Sequence, residues 1–102
     1  MQGQQSTAAC IEIAEFALWP DTTEAALRDA LAGLDAFLAT QPGFIRRRTL
    51  REGSQCADLV EWRDRVSAVA GAQAVMQSPA AARYFALLDL AGVRMRHFEV
   101  IA

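Results

Sequence analysis

Five breaks fix the order of segments in this chain, and that order leaves few folds open. Pro20-Asp21, Gln41-Pro42-Gly43, Glu52-Gly53-Ser54, Ser78-Pro79 and Gly92 are where proline and glycine interrupt otherwise periodic sequence. Ala8 to Leu18 alternates, with Ile11 and Ile13 on one parity and Cys10, Ala14 and Phe16 on the other. Apolar groups on both parities predict a strand at least partly buried on both faces. Asp21 is the expected N-cap of the next segment, with Glu24 completing a capping-box pair. Leu27, Ala30, Leu31, Leu34, Phe37 and Leu38 then follow at helical spacing, and the helix should stop before Pro42. Phe44 to Arg51 and Cys56 to Arg63 read as strands joined by a hairpin turn over Glu52-Gly53-Ser54-Gln55. Asp64 to Gln77 reads as a helix with Val66, Val69, Ala70 and Met76 on or near one stripe, interrupted by Gln73. Ser78 and Pro79 restart it as N-cap and first-turn proline. The last helix should bury Ala81, Phe85 and Leu88 and close at Gly92, leaving Val93 to Ile101 as the final strand.

Strand, helix, strand, strand, helix, strand is the βαββαβ order of an α+β, ferredoxin-like fold. Two right-handed crossovers predict a four-stranded antiparallel sheet of order 4-1-3-2 with helices on one face. The other face then has no helix to cover it, and Ile11, Ile13, Ala57 and Leu59 would lie there. Burying apolar area contributes ~25 cal/mol per Å². The expected cover is a second copy, giving a homodimer through the open sheet face.

A chain of 102 residues is one domain's worth, read here as residues 8–102 behind a polar tail, Met1 to Thr7, expected to be disordered. The tail lacks the basic and apolar regions of a secretory signal, and no apolar run approaches the ~20 residues of a membrane span, so a cytoplasmic location is expected. The net charge is −2 with no strongly charged block, which argues against nucleic acid or an anionic membrane as partner. The three consecutive arginines, Arg46, Arg47 and Arg48, do not change this. Alternate strand residues point to opposite faces, and charge on an edge strand discourages stray pairing. All ten basic residues are arginine and alanine is abundant, as in a GC-rich bacterial genome. Cys10 and Cys56 lack zinc-ligand spacing, and they fall near opposite ends of antiparallel neighbours, so free thiols are expected.

Four places resemble the antibiotic biosynthesis monooxygenase-like family of dimeric α/β barrels. They are Ile13-Ala14-Glu15-Phe16, Gln41-Pro42-Gly43-Phe44, Asp58-Leu59-Val60-Glu61-Trp62-Arg63-Asp64, and Ser78-Pro79 with Met95-Arg96-His97-Phe98-Glu99. The match runs over about residues 8 to 101. The resemblance implies a cofactor-independent monooxygenase acting on a small aromatic or apolar metabolite, with no metal and no cofactor. The family also contains haem degraders and proteins without known activity, so fold alone does not settle chemistry. Trp62 falls on the family's cavity tryptophan. Phe16 stands where the haem degraders have an asparagine, and Val66 to Gln77 holds no histidine to ligate haem iron.

Each candidate side chain carries a structural alternative. Trp62 and Phe16, with Glu12 and Ala14 expected on the same helix-facing side, can stack a flat aromatic substrate or simply fill the core. His97, the sole histidine, can act as general base on a phenol or an anthrone carbon, or sit at an interface. Glu12 is a carboxylate in an apolar parity; burial would raise its pKa and fit it for acid–base work, unless it lies at an open end or pairs with an arginine. Tyr84 can donate a hydrogen bond into a cavity or pack at the helix edge with its hydroxyl in water. Arg48, if it faces the cavity, can stabilise an enolate oxygen. The alternative to an enzyme is a non-catalytic ligand-binding or accessory homodimer.

Overall fold

The computed structural model describes residues 7–102, so the expected tail lies outside the described residues except for Thr7. The elements are β1 (Cys10–Leu18), α1 (Glu24–Leu38), β2 (Phe44–Glu52), β3 (Gln55–Trp62), α2 (Arg65–Val75), α3 (Pro79–Phe85) and β4 (Leu88–Glu99). All strand pairs are antiparallel, in the order β2-β3-β1-β4, which is the predicted order read from the other edge.

Local chemistry explains the helix starts. Asp64 caps α2 by accepting from the Ser67 N–H at 2.8 Å, and Ser78 caps α3 from Ala81 with Pro79 in the first turn. The cap of α1 is Thr23, whose hydroxyl accepts from the Ala26 N–H at 3.1 Å, and this corrects the assignment to Asp21. Glu24 is the first helical residue, where its charge suits the helix dipole.

A second correction concerns the last helix. It ends after about two turns rather than at Gly92, and Leu88 is buried from a strand. The reason is anchoring of the chain after the helix. The Leu87 carbonyl accepts from Trp19 N–H at 3.1 Å and from the Thr22 hydroxyl at 3.3 Å, which brings Leu88 into register with Leu18. The strand then slips: Ala17 pairs with Asp89 but Glu15 pairs with Arg94, so Leu90 to Val93 stand against Phe16 alone. Gly92 lies in this bulge. Tyr84, not Phe85, is the deeply buried aromatic of α3.

Register sorts the two faces of the sheet. Cys10/Trp62, Glu12/Val60, Ala14/Asp58 and Phe16/Cys56 are paired on the helix side, where Leu27, Ala30, Leu34 and Leu38 of α1 close the core. Ile11/Glu61, Ile13/Leu59 and Glu15/Ala57 lie on the other side, and no described element covers them. Cys10 and Cys56 are free and buried, six positions apart along the β1/β3 ladder and so roughly 20 Å from each other. Burial pushes both thiols up. Among the described residues no helix is long and apolar enough to cross a membrane.

Candidate functional site

Between the sheet and the helices lies a cavity of about 280 Å³, whose polar lining comes from Glu12, Arg47, Asp58, Trp62 and Tyr84. Leu34 and Leu38 of α1, Val75 of α2 and Val60 of β3 supply apolar wall. Glu12 and Trp62 stand on neighbouring strands, and their shared parity turns both inward.

The Glu12 carboxylate meets His97 across the β1/β4 ladder, with Oε1 3.1 Å from Nε2. Both side chains are nearly buried. Burial drives the Glu12 pKa above the ordinary carboxylate range, and the nearby Asp58 charge adds to it. The charge and hydrogen bond of His97, and the nearby indole of Trp62, pull the other way without cancelling it. A carboxyl so placed holds a proton more readily than an ordinary carboxylate and can serve as an acid or base.

Trp62 is 1% exposed and its ring packs edge-on against Phe44 at 5.7 Å. Its indole Nε1 is buried with no hydrogen-bond partner. Orphaned buried donors are rare and costly, which makes this N–H the natural anchor for a ligand's acceptor oxygen.

The second polar group is a charged network. Asp58 accepts from Thr49 Oγ1 at 2.5 Å, Tyr84 Oη at 2.5 Å and Arg47 Nη1 at 3.0 Å. Arg47 also hydrogen-bonds Thr49 and reaches Asp35 on α1 through two bonds, of 2.6 and 3.1 Å. Burial works against the charged guanidinium, but the bond to Asp35 and the charges of Asp58 and Asp35 outweigh it and raise its pKa. Burial first, and then the charge of Asp58, push the Tyr84 phenol far above its ordinary value and keep it protonated.

Four of the six residues singled out from sequence come together at this site: Glu12, His97, Trp62 and Tyr84. Tyr84 corrects the alternative of a hydroxyl in water, since the phenol is buried and bonded to Asp58. Phe16 packs edge-on against Tyr84 at 5.9 Å and supports the wall from behind rather than lining the cavity. Arg48 does not face the cavity. It pairs with Leu59 on the open side of the sheet, and Arg47 takes the inward place. A bulge explains the swap: Phe44 pairs with Trp62 and Arg46 with the adjacent Glu61, so Ile45 is extra and the parity of β2 inverts after it. Sequence reasoning missed Asp58, Arg47 and Thr49 as site residues. Asp58 carried a signal, a carboxylate on the parity of Trp62 in an apolar strand. Arg47 carried none that distinguished it from its neighbours.

A more open groove of about 580 Å³ runs between α1 and β2. Arg28 and Arg51 there are both paired with Glu24, at 3.0 and 3.3 Å, and the groove holds neither Glu12 nor Trp62. The smaller cavity therefore concentrates the unusual chemistry.

No protein-family model matches the chain, and no curated protein does. Solved structures do match, and they define the class of fold, that of dimeric ferredoxin-like proteins and oxygenases of the antibiotic biosynthesis monooxygenase type. SnoaB of Streptomyces nogalater, a cofactor-independent oxygenase, is similar with a TM-score of 0.71, 20% identity, and coverage of 94% of this chain and 96% of its own. A Nitrosomonas europaea protein described as a candidate antibiotic biosynthesis monooxygenase gives 0.68 and 13%, covering 91% and 99%. A dimeric ferredoxin-like protein from an uncultured marine organism gives 0.64 and 12%, covering 95% and 91%. Other structures of the same fold belong to proteins of unknown function.

Proposed function

We propose that two copies of this chain, joined through their open sheet faces, form a cofactor-independent oxygenase for a small hydroxylated aromatic substrate. The observation that carries the reading is Glu12, paired with His97, on the wall of a cavity beside the unpartnered Trp62 N–H. Fold similarity to a cofactor-independent oxygenase and to a dimeric protein supports it.

The chemistry balances without a protein-bound redox group. Glu12 removes a proton from an activated CH₂ of the substrate, and Trp62 Nε1–H donates to the ring oxygen that takes up the negative charge. The carbanion passes one electron to O₂, and the radical pair combines, forming a C–O bond. Glu12 returns its proton to the peroxide. Loss of water then leaves a carbonyl where the CH₂ stood. The substrate carbon supplies all four electrons that reduce O₂, one oxygen atom going to product and one to water.

Oxygen uptake with a panel of hydroxylated anthrones and quinols tests this. The wild-type chain consumes oxygen above the buffer rate, and Glu12→Gln loses about 100-fold or more of that rate. Undiminished uptake in Glu12→Gln overturns the assignment. Saturable binding across the panel without uptake replaces it with a ligand-binding homodimer.

A further inference from the structure

The cavity is unusually small and its mouth is unusually greasy. About 280 Å³ lies just below the ~300–1,000 Å³ range of pockets for drug-sized ligands, and equals the liquid volume of about nine waters at ~30 Å³ each. One ring or two fused rings fill it. The polar groups, Glu12, Asp58, Trp62 and Tyr84, are all buried or nearly so. Four other lining residues are exposed: Met76 at 70%, Leu90 at 57%, Met95 at 47% and Val93 at 39%. Met76 ends α2, and the other three come from β4, two of them from its bulge. The lining thus passes from a polar floor to an apolar rim in water.

A ligand held wholly inside would leave that rim wet, and contiguous exposed apolar side chains around a pocket mark a binding surface. The rim also lies on the helix side of the sheet, away from the face left for a second copy. We propose that the substrate is an amphiphile, a small hydroxylated aromatic head bearing an alkyl tail, with the head at Glu12 and Trp62 and the tail leaving across Met76, Leu90, Val93 and Met95. The unbranched side chains of the two methionines suit a flexible chain of variable length. This rests on the reading that the cavity holds a hydroxylated aromatic, and it names that molecule's class.

A homologous series tests it. Resorcinol, 4-butylresorcinol and 4-hexylresorcinol are titrated calorimetrically into the full chain, each below its aggregation limit. Each added methylene tightens binding by about twofold to fourfold. The double variant Met76→Ser/Leu90→Ser removes most of that gain. Val66→Ser, at an exposed apolar position outside the cavity, keeps it. Equal dissociation constants across the series, an undiminished gain in the rim variant, or loss of the gain in Val66→Ser overturns the proposal. Oxygen uptake with the hydroxylated anthrones, measured on the same preparation, separates it from the oxygenase reading, because the resorcinols carry no activated CH₂ and report binding alone. Tail-dependent binding without uptake sinks the oxygenase and keeps the amphiphile. Uptake with the anthrones, together with resorcinol-series binding indifferent to the tail, does the reverse.

Discussion

Trp62 lies directly over Gly71: a Cβ at residue 71 would come within 2.1 Å of Trp62 Cη2 and 2.7 Å of Cζ2. Glycine is a poor helix former, costing about 1 kcal/mol against alanine, so its place inside α2 needs a reason. The reason is the indole, packed edge-on with Phe44 and almost wholly buried. Gly71→Ala gains the propensity and loses more to overpacking, which costs about 1–3 kcal/mol in a packed core. The expected result is a net loss of up to about 2 kcal/mol in urea denaturation. A shifted Trp62 emission, read in a Trp19→Phe background, accompanies it. A stabilised variant with unmoved emission would show that the helix can step aside.

The network around Asp58 ranks its own members. Arg47→Ala leaves the buried Asp58 charge with two neutral donors, and breaking such a pair costs about 3–5 kcal/mol. Tyr84→Phe removes one bond to a charged acceptor, worth about 1.5–3 kcal/mol. Denaturant midpoints should therefore fall in both, further in Arg47→Ala. The reverse order would mean that the Tyr84–Asp58 bond, not the ion pairs that tie Arg47 to Asp58 and Asp35, carries most of the network.

Much of this fold was legible because it depends on period and punctuation. The changes of period at Asp21, Pro42 and Asp64, with the helix restart at Ser78, placed the elements in order. The parity shared by Trp62, Val60 and Asp58 put the cavity on the right face. What escaped depends on long-range contacts. Gly92 looks like a helix terminator because nothing local says that Leu87 is tied to Trp19 and Thr22. Arg47 and Arg48 are interchangeable in sequence, and only the extra residue Ile45 decides which turns inward. Tyr84 next to Phe85 reads as an edge residue until Asp58 is seen opposite its hydroxyl.

That inversion of β2 is directly testable. Arg48 lies on the open side of the sheet, away from the cavity, so Arg48→Ala should leave the cavity's geometry unchanged. Resorcinol affinity should be unchanged in Arg48→Ala and reduced in Arg47→Ala, both measured by calorimetry. The opposite pair of results would mean that β2 pairs one residue out of the register described.

Glu12 sets a pH dependence whose sign follows from burial. Its folded pKa lies above the ordinary value of 4.5, so the folded chain holds that proton more tightly than the unfolded chain does. The group's contribution is most favourable below the unfolded value, falls as pH rises toward the folded value, and is flat beyond it. Glu12→Gln has no such proton to lose. The melting temperature of the variant, relative to wild type, should rise as pH increases above the ordinary value of 4.5 and level off once the folded group has ionised. A difference that is constant or falls over that interval would show that His97 more than compensates for desolvation.

The sheet's uncovered face makes the last prediction. Ile13 pairs with Leu59 near its centre, flanked by Ile11 and Ala57, while the outer strands bring charge beside them: Arg48 stands opposite Leu59, Arg96 opposite Ile13, and Arg46 pairs with Glu61. An apolar centre with charges toward its edge is what an interface between identical subunits presents. Leu59→Asp puts a carboxylate at that centre, and a two-fold axis would set it close to its own copy, where like charges desolvated together repel. Wild-type chain at micromolar concentration should sediment at twice the chain mass, and Leu59→Asp at the single-chain mass with its helical circular dichroism retained. A wild-type chain that already sediments singly would leave these side chains in water and remove the dimer from the account, while the Glu12–His97 cavity, on the opposite face, would stand or fall on its own measurements.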